Sequence, residues 1–224
     1  MLAEFQRKAK AGDFSPMRKR LVDTDRWRFF NELALDRGSR YAACTLDSFQ
    51  APNHASSQAK VVRAVSQFCE TMPTMLAKGG GLILFGPEGT GKDHLQFASL
   101  TTAIIYHGYT AIWRDGLRLQ KEIRKAIQDG NEFEKLRQLA DPQILAISDP
   151  IPPKGDLTDY GVGTLRDLVD RRYQSGKSTW LTLNVAKLED AEAFFTPPLL
   201  ARLRQDSLEI KCNWPSYRSR PAAS

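Results

Sequence analysis

Eight consecutive residues, Gly86-Pro87-Glu88-Gly89-Thr90-Gly91-Lys92-Asp93, limit what this 224-residue chain can fold into more than anything else in it. They follow the pattern G-x-x-x-x-G-K, which carries meaning only between a strand and a helix. Both are in register. Leu82-Ile83-Leu84-Phe85, after three glycines, reads as a short buried strand, and residues 92–107 carry Leu95, Ala98, Thr102 and Ile105 at helical spacing. Glycines let successive backbone N–H groups turn inward as an anion nest. The helix starting near Lys92 aims its free amides and positive dipole end at the same point. Lys92 adds a point charge between the outer phosphates of a nucleotide. The plain alternative, a glycine-rich turn with a surface lysine, accounts for neither the strand nor the helix.

The rest of the chain from about residue 61 alternates in the same way. A helix is expected over 58–71, ending near Pro73. Strands are expected at Tyr109–Trp113, Gln143–Ile147, Thr179–Leu183 and Leu208–Cys212. Helices carry Leu119, Ile123, Ala126 and Ile127, with Asp115 as cap, and then Leu165, Leu168 and Val169. Such alternation implies an α/β fold, a mainly parallel five-stranded sheet covered by helices on both faces. Residues 1–50 differ. They are polar, and a short amphipathic helix is expected around 25–36 with Thr24 or Asp25 as cap. The organisation expected is an N-terminal arm, 1–50, and a nucleotide-binding domain, 51–224, with 51–58 a loop.

Two positions depart from the phosphate-loop pattern. A Ser or Thr normally follows the lysine and ligates Mg²⁺; here Asp93 stands there. A carboxylate beside a triphosphate repels it unless a cation lies between. The strand Ile144–Ile147 runs into Ser148-Asp149-Pro150, where two acids are usual and only Asp149 is acidic. Two readings stay open. Either normal metal-dependent hydrolysis is lost, or hydroxyl and carboxylate have exchanged sides of one metal, which makes Asp93 and Asp149 the Mg²⁺ ligands. The plain alternative for Asp149 is a strand-end turn residue before Pro150.

Charge and cysteine usage narrow the setting. Thirty-two Lys and Arg against 26 Asp and Glu give a net charge of +6, which permits a polyanionic partner without requiring one. Cys44, Cys69 and Cys212 are odd in number and far apart, so neither a zinc site nor a disulfide framework is expected. Free thiols, no membrane-length apolar run and a start at Met1–Phe5 without signal-peptide layout point to the cytoplasm.

Several stretches together resemble the DnaC-like helicase loaders and IstB-like transposition helpers. They are Tyr41–Phe49, read as a lead-in strand and loop, Phe85 through His94-Leu95, Val169-Asp170-Arg171-Arg172-Tyr173 with Ser178–Val185, and Asn213–Arg218. The likeness covers about residues 40–218. It implies a P-loop, AAA+-like ATPase core with ATP and Mg²⁺ held between subunits of a homo-oligomer. The nucleotide-binding set is then Gly86, Pro87, Glu88, Gly89, Thr90, Gly91, Lys92, Asp93 and His94. Lys92, Asp149, the sensor Asn184 and the arginine finger Arg202 would carry catalysis, with Arg204 the rival finger and Arg218 a sensor in cis. The family implies action on a replicative helicase or a transposase at single-stranded DNA. The lead-in near Tyr41–Phe49 would flank the adenine.

The arm holds ten Lys and Arg and seven Asp and Glu, with Trp27, Phe29 and Phe30 interleaved among Arg26 and Arg28. Those aromatics either dock a base or a protein, or pin the arm to the core. Arg171 and Arg172 are expected on an exposed helix face. Two other activities stay in view: an ATP-dependent switch with weak or no hydrolysis, which rests on Asp93 and Ser148, and a small-molecule kinase. The kinase would need a basic lid, and the segment 150–163 offers only Lys154.

Overall fold

In strand β1, Leu82–Phe85, alternate side chains enter opposite layers, which is the period-two geometry of a pleated strand covered on both faces. Leu82 and Leu84 join one apolar cluster and Ile83 the other. The same division runs across the whole sheet in a computed structural model that describes residues 17–151 and 159–219. In chain order the elements are helices α1 (Met17–Arg37), α2 (Ser39–Ala42) and α3 (Ser57–Leu76), β1, α4 (Lys92–Ile105), β2 (Ala111–Asp115), α5 (Gly116–Gln128), α6 (Glu132–Ala140), β3 (Ile144–Ser148), α7 (Asp159–Gln174), β4 (Ser178–Leu183), α8 (Glu192–Phe195), α9 (Pro197–Arg204) and β5 (Leu208–Lys211). The strands form one sheet in the order β2-β3-β4-β1-β5, every neighbouring pair parallel. This is the five-stranded α/β architecture expected from the sequence.

Helices α1, α3 and α4 cover one face around Leu33, Phe68, Met72, Phe97 and Trp113; α5, α6, α7 and α9 cover the other around Ile123, Leu139, Leu168 and Leu200. The register gathers the strand ends that build a site. Leu84 pairs with Thr182, and Thr182 with Ser148, so the C-terminal ends of β1, β4 and β3 lie side by side. In open parallel sheets ligands bind outside those ends.

Four expectations need correction. Helix α1 begins at Met17, not near 25, because Met17–Asp23 contains neither Gly nor Pro and extends the helix past the expected cap. Helix α3 runs through Pro73 to Leu76. A proline orphans the carbonyl four residues earlier, and here His107 Nε2 hydrogen-bonds that carbonyl, Cys69 O, at 3.0 Å. The lead-in is helical turn α2 followed by loop, not a strand. Arg172 is not on an exposed face. It is 0% exposed, and its guanidinium donates to the carbonyls of Leu139, Ala140, Pro142, Gln143 and Ser178 and to Thr179 Oγ1. Burial lowers its pKa to about 9, so it is still charged at neutral pH. The cation caps the C-terminal carbonyls of α6, a helix the periodicity missed. Arg171 is exposed.

The described part of the arm packs on the core. Phe29 and Phe30 lie against the first cluster, with Phe30 edge-on to Phe97 at 6.1 Å, and Arg26 donates to Ile105 O at 2.9 Å. Asp36 is paired with Arg114 at 2.7 Å and with Arg118. No helix among the described residues is long and apolar enough to cross a membrane. Cys44, Cys69 and Cys212 are free thiols. Lys154 lies outside the described residues, as do Met1–Phe5.

Candidate nucleotide-binding site

The loop between β1 and α4 is held from the far end of the chain. Trp214 Nε1 donates to Thr90 O at 3.0 Å, and the Tyr217 amide donates to Gly89 O at 2.8 Å. Thr90 Oγ1 closes the turn on Pro87 O at 2.9 Å. Two glycines are required by this packing. A β-carbon on Gly86, at φ 139, would run into Cys212 O; one on Gly89, at φ 74, would meet Ser216 Oγ. Helix α3 is capped by Ser56 and α5 by Asp115, whose Oδ1 accepts from the amides of Leu117 and Arg118. Helix α4 starts after Gly91 with no side-chain cap, which leaves its first amides for an anion.

Lys92 is 6% exposed, and its Nζ donates to Gly86 O at 2.9 Å and Pro87 O at 2.8 Å. Burial pulls its pKa below the usual lysine value, and nearby Asp149 works against that shift. The two carbonyls are neutral acceptors, so a phosphate oxygen is the better partner for the ammonium. Glycine nest, uncapped helix and buried cation converge on one point, and a polyphosphate fits it.

Two strands over, after β3, stands Asp149, at φ 48, its amide bonded to Thr182 O at 2.9 Å. Burial, then the charge of Asp93, push its carboxyl up to about 6; Lys92 and a hydrogen bond from Asn184 work the other way. Asp149 Oδ1 is buried without a hydrogen-bond partner in the protein. An orphaned buried carboxylate oxygen beside a phosphate cradle suits a divalent cation, which takes much of its coordination from phosphates and water. Among the described residues no cluster of three or more His, Cys, Asp or Glu is arranged to hold a metal by itself.

Asp93 has other company. Its Oδ1 accepts from Thr182 Oγ1 at 2.9 Å, while Oδ2 lies 3.4 Å from both Arg37 and Tyr41 Oη. Ser148 is buried, and its hydroxyl accepts from Trp113 Nε1. The structure thus brings Lys92, Asp93, Asp149 and Asn184 to one edge. His94 hydrogen-bonds Thr45 O at 2.7 Å and Ser48 Oγ at 3.2 Å, securing the lead-in loop. Phe49 from that loop packs edge-on to His94, Trp214 and Tyr217. Glu88 is exposed, and Arg218 lies beside Gly89. Arg202 lies elsewhere, on α9, paired with Asp170 and over the Tyr173 ring at 5.4 Å. Arg204 is engaged by Glu209 and Glu189. Sequence reasoning missed Arg37 and Thr182 as partners of Asp93. Arg37 is 56 residues away in sequence with no motif to mark it; Thr182, at a strand end beside the loop strand, could have been found from the strand order.

Known proteins resemble this chain over most of its length. A replicative helicase loader DnaC of Escherichia coli K12 is 23% identical over 180 residues, 79% of this chain and 70% of that protein. An insertion sequence ATP-binding protein of Sinorhizobium fredii is 28% identical over 151 residues, 66% of this chain; the chain spans about half of that relative's length, 49%. Among solved structures, the DnaC helicase loader superposes with a TM-score of 0.67 at 20% identity, over 78% of this chain and 99% of that one, a likeness of fold. The model of the IstB-like ATP binding protein family matches residues 44–223, which takes in the phosphate loop, both acidic positions and the C-terminal segment that holds the loop: the chain belongs to the IstB-like ATP-binding protein family.

Proposed function

We propose that this chain is an ATPase that binds ATP with Mg²⁺, assembles with copies of itself and acts on a replicative helicase or a transposase at single-stranded DNA. One observation carries the ATP reading: a lysine that is 6% exposed, its ammonium resting on Gly86 and Pro87 carbonyls at the mouth of an uncapped helix. The DNA-transaction reading is supported by the names of the helicase loader and the insertion sequence protein.

Each residue has a task in this reading. The amides of Gly89 to Lys92 cradle the phosphates, and Lys92 neutralises the outer ones. Asp149 holds the cation and orients water, and Asn184 positions Asp149 through their hydrogen bond. Bound Mg²⁺ supplies charge stabilisation at the phosphoryl oxygens. Arg202 serves a neighbouring subunit's nucleotide after leaving Asp170. The arm, residues 1–50, meets the partner, and domain 51–224 holds the nucleotide.

A second reading, a nucleotide switch with little turnover, has a specific observation in its favour: the carboxylate of Asp93 is paired with Arg37, and the Ser148 hydroxyl is occupied by Trp113. A single-turnover ATPase assay with single-stranded DNA, using Lys92→Ala as control, separates the two. ATP binding lost in the control together with measurable turnover supports hydrolysis. Binding without turnover supports the switch. Absence of any heat on titrating ATP into folded protein removes both.

A further inference from the structure

Asp93 poses an electrostatic problem that the fold answers from outside the phosphate loop. A carboxylate in the first turn of α4, beside the amides that receive a triphosphate, places like charges together. The charge is met by the last turn of α1. Arg37 Nη2 lies 3.4 Å from Asp93 Oδ2, and the Arg37 side chain is only 12% exposed. Its guanidinium lies 4.0 Å from the centre of the Trp113 ring and 5.0 Å from that of Tyr41, so stacking fixes the cation in place. The neighbouring Asp36 fastens the end of α1 to Arg114 and Arg118 on the far side. Trp113 in turn gives its indole N–H to Ser148. The two departures from the family pattern, at 93 and 148, are therefore joined through one aromatic ring.

We propose that Arg37 is the positioning residue that lets an acidic phosphate loop accept ATP: it cancels the charge of Asp93 and holds the carboxylate, with Thr182, away from a metal-ligating role. The proposal rests on the reading that the loop binds ATP. It also joins the arm to the nucleotide site, since anything that lifts the end of α1 uncovers Asp93. Linkage makes the effect reciprocal, so ATP strengthens docking of α1.

The test is ATP affinity by calorimetry in the presence of Mg²⁺ for the full chain, Arg37→Gln, Asp93→Asn and the double variant, each checked for folding by thermal unfolding. Arg37→Gln is expected to weaken ATP binding about tenfold. Arg37→Gln/Asp93→Asn is expected to match Asp93→Asn, whatever Asp93→Asn alone does to affinity. Equal affinity of Arg37→Gln and the parent overturns the proposal. So does a double variant weaker than Asp93→Asn, which makes the arginine's part merely structural. Should Arg37→Gln fail to fold, the comparison of the double variant with Asp93→Asn decides alone: equality supports the proposal, and a tenfold deficit overturns it. A parent chain that binds no ATP ends the ATP reading itself; a parent that binds, with Arg37 indifferent, ends only this inference.

Discussion

A buried arginine and a largely buried one sit at opposite ends of the same sheet, and they are held by opposite means. Arg172, at the end where β3 and β4 begin, is surrounded by five backbone carbonyls and a threonine hydroxyl. Arg37, at the end where β1, β3 and β4 finish, faces a carboxylate and two aromatic rings, and its Nε is buried without a partner. The first cation has its hydrogen-bonding capacity filled by neutral main chain and acts as a bolt. The second depends on one acidic side chain, in a region where an orphaned Asp149 oxygen and an uncapped helix also await partners. For these two arginines, complete satisfaction goes with the end remote from the phosphate loop, and incomplete satisfaction with the end that carries it.

Four measurements can break that contrast. The largest effect belongs to the bolt. Arg172→Met removes the guanidinium from six acceptors, of which Gln143 O keeps the Ser178 amide, and should cost about 3–5 kcal/mol, lowering the melting temperature by about 10 °C, while the folded fraction keeps its ATP affinity. A variant that melts normally but loses ATP would invert the assignment of the two ends. Next, Lys92→Ala should weaken ATP binding about 100-fold with little change in unfolding. A large drop in stability there would mean that the lysine mainly braces its loop.

Third comes pH. The Asp149 carboxyl sits at about 6 in the folded chain against 3.8 as a free side chain. The folded state therefore holds that proton more tightly than the unfolded one, and its stability falls as pH rises from about 4 to about 6, by roughly 2 kcal/mol. Urea midpoints of metal- and nucleotide-free protein at several pH values should show the slope, and Asp149→Asn should flatten it. The smallest effect is at a satisfied site. Asp115→Ala removes the α5 cap and should cost about 1 kcal/mol in urea unfolding without altering nucleotide affinity.

Much of this was legible from the chain itself because the relevant signals are local. Glycine spacing, the strand before it and the helix after it are contiguous, and the parallel sheet follows from strands and helices taking turns. Asp115 as a cap is a local signal of the same kind, and the structure bears it out. What escaped was non-local. Pro73 ends a helix by its own chemistry and is overruled by His107, 34 residues later, which serves the carbonyl it orphans. Arg172 looks like a solvated helix residue until α6, whose short pattern hid it, supplies carbonyls. Arg37 carries no motif, and its meaning appears only once α1 is docked beside Asp93.

The phosphate loop takes its shape from residues more than a hundred positions downstream: Trp214 grips Thr90, and the Tyr217 amide grips Gly89. On the ribosome, then, the strand and helix on either side of the loop emerge long before the segment that fixes its curvature. A nascent chain halted short of Trp214 carries the whole G-x-x-x-x-G-K motif and lacks the clasp that shapes it. In such a chain Thr90 O and Gly89 O lack the two donors that hold the loop in the folded protein.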